Sequence, residues 1–204
     1  MKRLLSREEA FTGLEAAIVL IAFVVVAAVF SYVVLGAGFF STQKAQESVH
    51  TGVQQASSSF EILGDVYGVD TTGGTPPTGS PRVQINFLNF TVGLAPGGMP
   101  IDMTKLTMVF ANQSVRNDIN QSIPLVSNPN PAINQWGIAR TINGNNNALL
   151  EGGEQMDLVV HLGESTGSIA ARDAFTLEIK PIIGPALSIA RTAPGGIDPV
   201  NKLY

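Results

Sequence analysis

The stretch Gly163-Glu164-Ser165-Thr166-Gly167 has the spacing of a nucleophile elbow, and it follows the strand-like run MDLVVHL. A serine so placed attacks a carbonyl carbon when a histidine takes its proton and an acid orients that histidine. In hydrolases with this elbow, both partners follow the serine in the chain. Here the histidines are His50 and His161, and both precede Ser165. A polar hairpin turn accounts for the motif, and no catalytic residue is assigned. His161 closes a strand-like run and reads as a satisfied polar residue, whereas His50 lies in an amphipathic segment and reads as solvated. Asp65 and Asp70 bracket a turn-rich loop, but their spacing lacks a recognised calcium ligand set. The chain has no cysteine, which removes disulfides, thiolate catalysis and cysteine–zinc sites. No cofactor or metal is expected, and Trp136, the only tryptophan, reads as core.

Two other sets of residues carry chemistry of a different kind. Asn89-Phe90-Thr91, Asn112-Gln113-Ser114 and Asn120-Gln121-Ser122 are N-glycosylation triplets, each a weak signal alone in so Asn-rich a chain. The second set is a single acid. Glu15 sits at the start of FTGLEAAIVLIAFVVVAAVFSYVVLGAGFF, residues 11–40, and no further charge occurs before Lys44.

That run fixes the class of the chain. Charged residues make up 14% of it, against roughly 25% in ordinary soluble domains. The net charge is −4 with scattered basic residues, so nucleic acid is not an expected partner. Ala16–Leu35 is long enough to cross a bilayer as a helix. Lys2, Arg3 and Arg7 precede it while Lys44 stands alone beyond it, an asymmetry that keeps the N-terminus in the cytoplasm and sends the rest out. A signal anchor fits this pattern. A cleavable secretory signal, cut near Gly36-Ala37-Gly38, would have an apolar region of only about 7–15 residues. Neither reading explains a carboxylate at the membrane boundary, which costs free energy and calls for a partner. A cut between Ala10 and Phe11 supplies one. The new ammonium on Phe11 stands four residues from Glu15, so both lie on one helix face. Glu15 can then pair with that ammonium or with a neighbour's, as a docking and register device between subunits.

The short charged leader followed by FTGLEAAIVLIAFVVVAAVFSYVVLGAGFF resembles the N-terminus of archaeal flagellins (archaellins), relatives of type IV pilins that share a glutamate at the fifth mature position. The resemblance is close over residues 8–47. It implies cleavage at Ala10–Phe11 by a membrane prepilin-type peptidase, then assembly into an extracellular filament on the archaeal cell surface. The filament would be a homopolymer or include sister archaellins, and it would be driven by a separate motor and assembly platform. Glu8, Glu9 and Ala10 depart from the glycine and the nearby basic residues that the family often has before the cut. The resemblance also implies N-glycosylation, with Asn89, Asn112 and Asn120 as candidates.

Three elements must position these residues: a leader over 1–10, a long helix over 11–63, and a head over 64–204. Ala45, Val49, Val53, Ala56, Phe60 and Leu63 recur at steps of four and three, a one-sided apolar stripe whose expected partner is the head. Gly36, Gly38 and Gly52 are expected to weaken the helix locally. The Gly-, Pro- and Thr-rich residues 64–81 mark a boundary. Strand-like runs follow at Arg82–Val92, Lys105–Ala111, Ile138–Ile142, Gln155–Leu162, Phe175–Ile183 and Ala186–Arg191. Their number and spacing predict an antiparallel β-sandwich, which agrees with the immunoglobulin-like heads the resemblance implies. The expected fold is thus α+β, and the expected role structural rather than enzymatic. An adhesive pilin of the same superfamily and an unpolymerised membrane-anchored surface domain remain as rivals.

Overall fold

The computed structural model of the chain describes residues 2–70, 84–163 and 167–204, the side chains of 2–12 and 56–57 excepted. It divides into two compact units, Met1–Thr51 and Gly52–Tyr204. The elbow-like triplet Glu164–Thr166 and most of the Gly/Pro-rich boundary lie outside the described residues.

The first element, α1, runs without interruption over Lys2–Ser57, about 84 Å at 1.5 Å per residue. Its Ala-, Leu- and Glu-containing sequence favours helix, and the many valines and isoleucines are tolerated at some cost in rotamer freedom. Gly36 and Gly38 do not break it. A Cβ built at either would meet open space, so nothing within the chain requires these glycines. Thr42 Oγ1 donates to the Gly38 carbonyl (2.8 Å), and Lys44 pairs with Glu47 (2.7 Å). The helix ends six residues short of the expected 63. Phe60, which continued the stripe, belongs to the first strand and is buried in the head.

The described residues of the head form fourteen strands: β1 Phe60–Ile62, β2 Tyr67–Val69, β3 Gln84–Ile85, β4 Phe87–Leu94, β5 Ile101–Asp102, β6 Thr107–Asn112, β7 Arg116–Val126, β8 Gln135–Ile142, β9 Leu149–Leu150, β10 Gln155–His161, β11 Ile169–Ala170, β12 Ala174–Lys180, β13 Leu187–Thr192 and β14 Val200–Lys202. One large sheet has the order β13-β12-β6-β7-β8-β10-β4-β2-β14, with β1 also on β4. Two ribbons, β3–β11 and β5–β9, accompany it. Pairing is antiparallel except between β7 and β8, which run parallel.

Period-two burial drives the strands. In β4, Leu88, Phe90 and Val92 face the core; in β10, Met156, Leu158 and Val160 do; in β12, Phe175, Leu177 and Ile179. These join Met108, Phe110, Trp136 and Ile138 in one continuous apolar cluster. The halves of the sheet on either side of β7 therefore supply a single core, the arrangement of a β-sandwich. Trp136 is fully buried as expected.

The longest strand, β7, is among those the sequence pattern missed, together with the short β1, β2, β5, β9, β11 and β14. Its RNDINQSIPLV sequence buries only Ile119 and Ser122. It pairs with β6 through Arg116–Ile119 and with β8 through Asn120, Gln121 and Val126. Between Gln121 and Val126 the register shifts. There Ser122 Oγ donates to the Pro124 carbonyl (2.9 Å), as does Asn128 Nδ2 (3.1 Å). The bulge presents Ile123 to solvent at 97% exposure. Gly137 makes room for it: a Cβ at that position would lie 2.8 Å from Ser122 Oγ and 3.0 Å from the Asn128 carbonyl oxygen.

Candidate functional site

The feature that demands a function is α1. Every large apolar side chain from Leu14 to Phe40 is more than half exposed. An 18-residue window within Gly13–Gln55 reaches a mean hydropathy of 3.0 with none of it buried. Burying one such side chain is worth ~1.5–3 kcal/mol, whereas a whole domain is stable by only about 5–15 kcal/mol. A helix carrying so many of them is not left in water. It needs lipid or other helices on every side.

Phe11 and Ala10 lie on this helix, and their side chains fall outside the description. Glu15 follows Phe11 by one helical turn. Its side chain is exposed and has no ion-pair or hydrogen-bond partner among the described residues. A carboxylate at the edge of an otherwise uncharged apolar surface is a charge awaiting a counter-charge.

Among the described residues, the head brings none of the suspected polar side chains into a reactive constellation; Ser165 lies outside them. His161 Nδ1 lies 2.9 Å from the Pro131 carbonyl, and its ring stacks on Phe87 at 4.0 Å between centroids; it is a satisfied strand residue. Asp65 pairs with Lys202 (2.8 Å), which raises the lysine pKa above its ordinary value. Asp70 is buried, and its backbone N–H donates to the Pro199 carbonyl. Among the described residues no three His, Cys, Asp or Glu side chains gather as a metal site. Asp102 accepts from the Thr104 hydroxyl (2.6 Å) and its backbone N–H (3.0 Å). Those bonds, with Lys105 alongside, hold the carboxyl below the usual range.

The three triplets occupy different settings. Asn120 is exposed on β7, while its Ser122 is buried in the bulge. Asn112 Oδ1 accepts from the backbone N–H groups of Ser114 (2.9 Å) and Val115 (2.7 Å), closing the β6–β7 hairpin. Asn89 stands in β4 opposite Val159 of β10 and Tyr67 of β2, and its Oδ1 is a buried atom without a partner. Its Thr91 donates to Asp157 Oδ1 (2.7 Å), which Arg140 grips through Oδ2 (2.7 Å). Only Asn120 offers its side chain freely.

A long, exposed apolar helix joined to a β-sandwich head with no reactive site among its described residues defines a class: subunits that function by associating through the helix. The comparisons with known proteins narrow that class. The family model "Archaeal-type flagellin" matches residues 10–191. A probable flagellin 1 of Archaeoglobus fulgidus is 41% identical, with 98% of each chain covered. The archaeal flagellum structure from Methanospirillum hungatei aligns with a TM-score of 0.68 at 32% identity, covering 94% of this chain and 98% of that one. Flagellin FlaB1 of Methanocaldococcus jannaschii shares the fold at a TM-score of 0.52 and 17% identity, covering 71% and 95%. This chain belongs to the archaeal-type flagellin family and is a structural subunit of the archaeal motility filament, an extracellular surface appendage.

Proposed function

We propose that this chain is made as a membrane-inserted precursor, cut between Ala10 and Phe11 by a prepilin-type peptidase, and then polymerised through its helix. The observation that carries the reading is the fully exposed apolar helix with one carboxylate a turn beyond the cut. Before assembly, lipid covers the apolar side chains; afterwards, sister helices do. Since lipid is as apolar as leucine, that exchange alone has little driving force. Close packing over Ala22, Ala27, Ala28 and the unconstrained Gly36 and Gly38 supplies part of it. Pairing of Glu15 with the Phe11 ammonium of the same or a neighbouring subunit supplies specificity. At an effective dielectric of about 20, two unit charges 4 Å apart attract by roughly 4 kcal/mol.

Polymers of this chain alone, or with sister flagellins, are both compatible with this assembly, and torque would come from a separate motor. The test is N-terminal sequencing of protein sheared from cells. Filament fractions beginning at Phe11 support the reading, and a retained Met1 overturns it. Glycosylation of the head follows the same topology, and mass spectrometry of the sheared protein should find Asn120 occupied more fully than Asn112 or Asn89.

A further inference from the structure

The head carries a second uncovered apolar surface, where the chain enters it from the helix. The β12–β13 loop, Pro181-Ile182-Ile183-Gly184-Pro185, and the β4–β5 loop with Met99 and Pro100 meet around a cleft of about 210 Å³. Gln54 and Ser58 form its wall on the helix side. Ile182 is 70% exposed, Ile183 49% and Met99 37%.

This collar is built, not frayed. Gly184 has φ +109°, a conformation that only glycine adopts without strain, and the Ser58 carbonyl occupies the place a Cβ would take. Ser58 is itself buried, and its Oγ donates to the Gln54 carbonyl (2.8 Å). The Ala95 N–H donates to the Ser59 carbonyl (3.0 Å), which ties the second loop to the same point. Two prolines flank the isoleucine pair and hold it presented, which lowers the entropy lost on binding.

We infer that the collar is a subunit contact of the filament, and that its occupant is the lower helix of a second copy, docked through Val49 and Val53. The inference rests on the polymerisation reading above. Three observations select this occupant. First, Val49 and Val53 lie one turn apart in the apolar stripe of a helix stretch whose other faces are polar, and they are 65% and 58% exposed, so the chain itself leaves them uncovered. Second, an extending helical polymer needs heterologous contacts, in which one patch meets a different patch; a collar meeting a collar closes into a dimer. Third, the collar starts at Gln54, on the helix whose upper part polymerisation buries, so it is continuous with that interface. The charged groups at its rim, Asp102 and Lys105, already pair with each other (3.3 Å) and set no electrostatic barrier to an apolar partner.

The absence of cysteine makes the contact addressable. Two full-length chains with different tags, one bearing Ile183→Cys and the other Val49→Cys, are co-expressed in a filament-forming host. Sheared filaments are then treated with a short bismaleimide. The expected product is a dimer carrying both tags. In parallel, Ile182→Ser with Ile183→Ser should lower filament yield at least about tenfold, while precursor level and head unfolding temperature stay unchanged. Filaments that form normally yet give no mixed dimer overturn the inference. So does a dimer obtained only when Ile123→Cys replaces Val49→Cys. Absence of filaments from the unsubstituted chain overturns the polymerisation reading and this inference together.

Discussion

Glu15 is costly in each environment the helix occupies until a cation meets it. Glu15→Gln keeps the shape and removes the charge. The precursor should still insert, since the apolar run is intact, but on the proposed pairing the Phe11 ammonium would lose its partner. Breaking a buried pair in this way costs roughly 3–5 kcal/mol, so sheared filament should fall to a small fraction of wild type while membrane precursor accumulates. Equal yields would remove the docking role. On the head, Lys202 has its pKa raised by Asp65. A raised folded pKa means that the pair's contribution is complete below the ordinary lysine value of 10.5 and is lost as pH climbs through the folded value. Thermal unfolding of the head should therefore show an alkaline decline that Lys202→Ala blunts. The effect is small, because the pair is exposed. The isolated acid was legible in the sequence because one charge among so many apolar residues is conspicuous. The collar was not. Ile182 and Ile183 read as the end of a strand, and nothing in the local pattern brings Met99 beside them.

Among the elements, α1 was legible because uniform apolarity over so long a run has one structural outcome. Its end was not: Phe60 keeps the helical spacing yet pairs in β1, and a spacing of three or four cannot tell a helix residue from a strand residue that happens to follow. The strands with alternating burial, β4, β6, β10, β12 and β13, were legible for the matching reason. The longest strand, β7, escaped because it sits where the sheet changes partners and buries almost nothing, so its polar sequence resembles a loop. Its bulge depends on Gly137. Gly137→Ala places a methyl against Ser122 Oγ and the Asn128 carbonyl, and should destabilise the head by about 1–3 kcal/mol, read as a lower midpoint in denaturant. Ser122→Ala in the same chain should recover part of that loss by removing the nearer atom. Failure of the double variant to recover any stability would mean that the Asn128 backbone, not the hydroxyl, sets the limit.

At the scale of the whole molecule, charge is confined to the head and to the ends of the helix. No Asp, Glu, Lys, Arg or His lies between Glu15 and Lys44. Filaments held chiefly by that segment should tolerate ~1 M salt, where exposed charges are screened beyond about 3 Å. They should dissolve in detergent, which offers the helix an alternative apolar solvent. Turbidity or electron microscopy across a salt series and a detergent series would show it; salt-induced dissociation would place the main cohesion on the heads instead. Among the described residues, the core of the head, in turn, is built from Phe60 onward. On the proposed route, a precursor waiting in the bilayer would therefore be a finished part, its sandwich closed and its helix stored in oil. Growth by that route would then draw on a standing stock of folded subunits and would not have to wait for chains to fold.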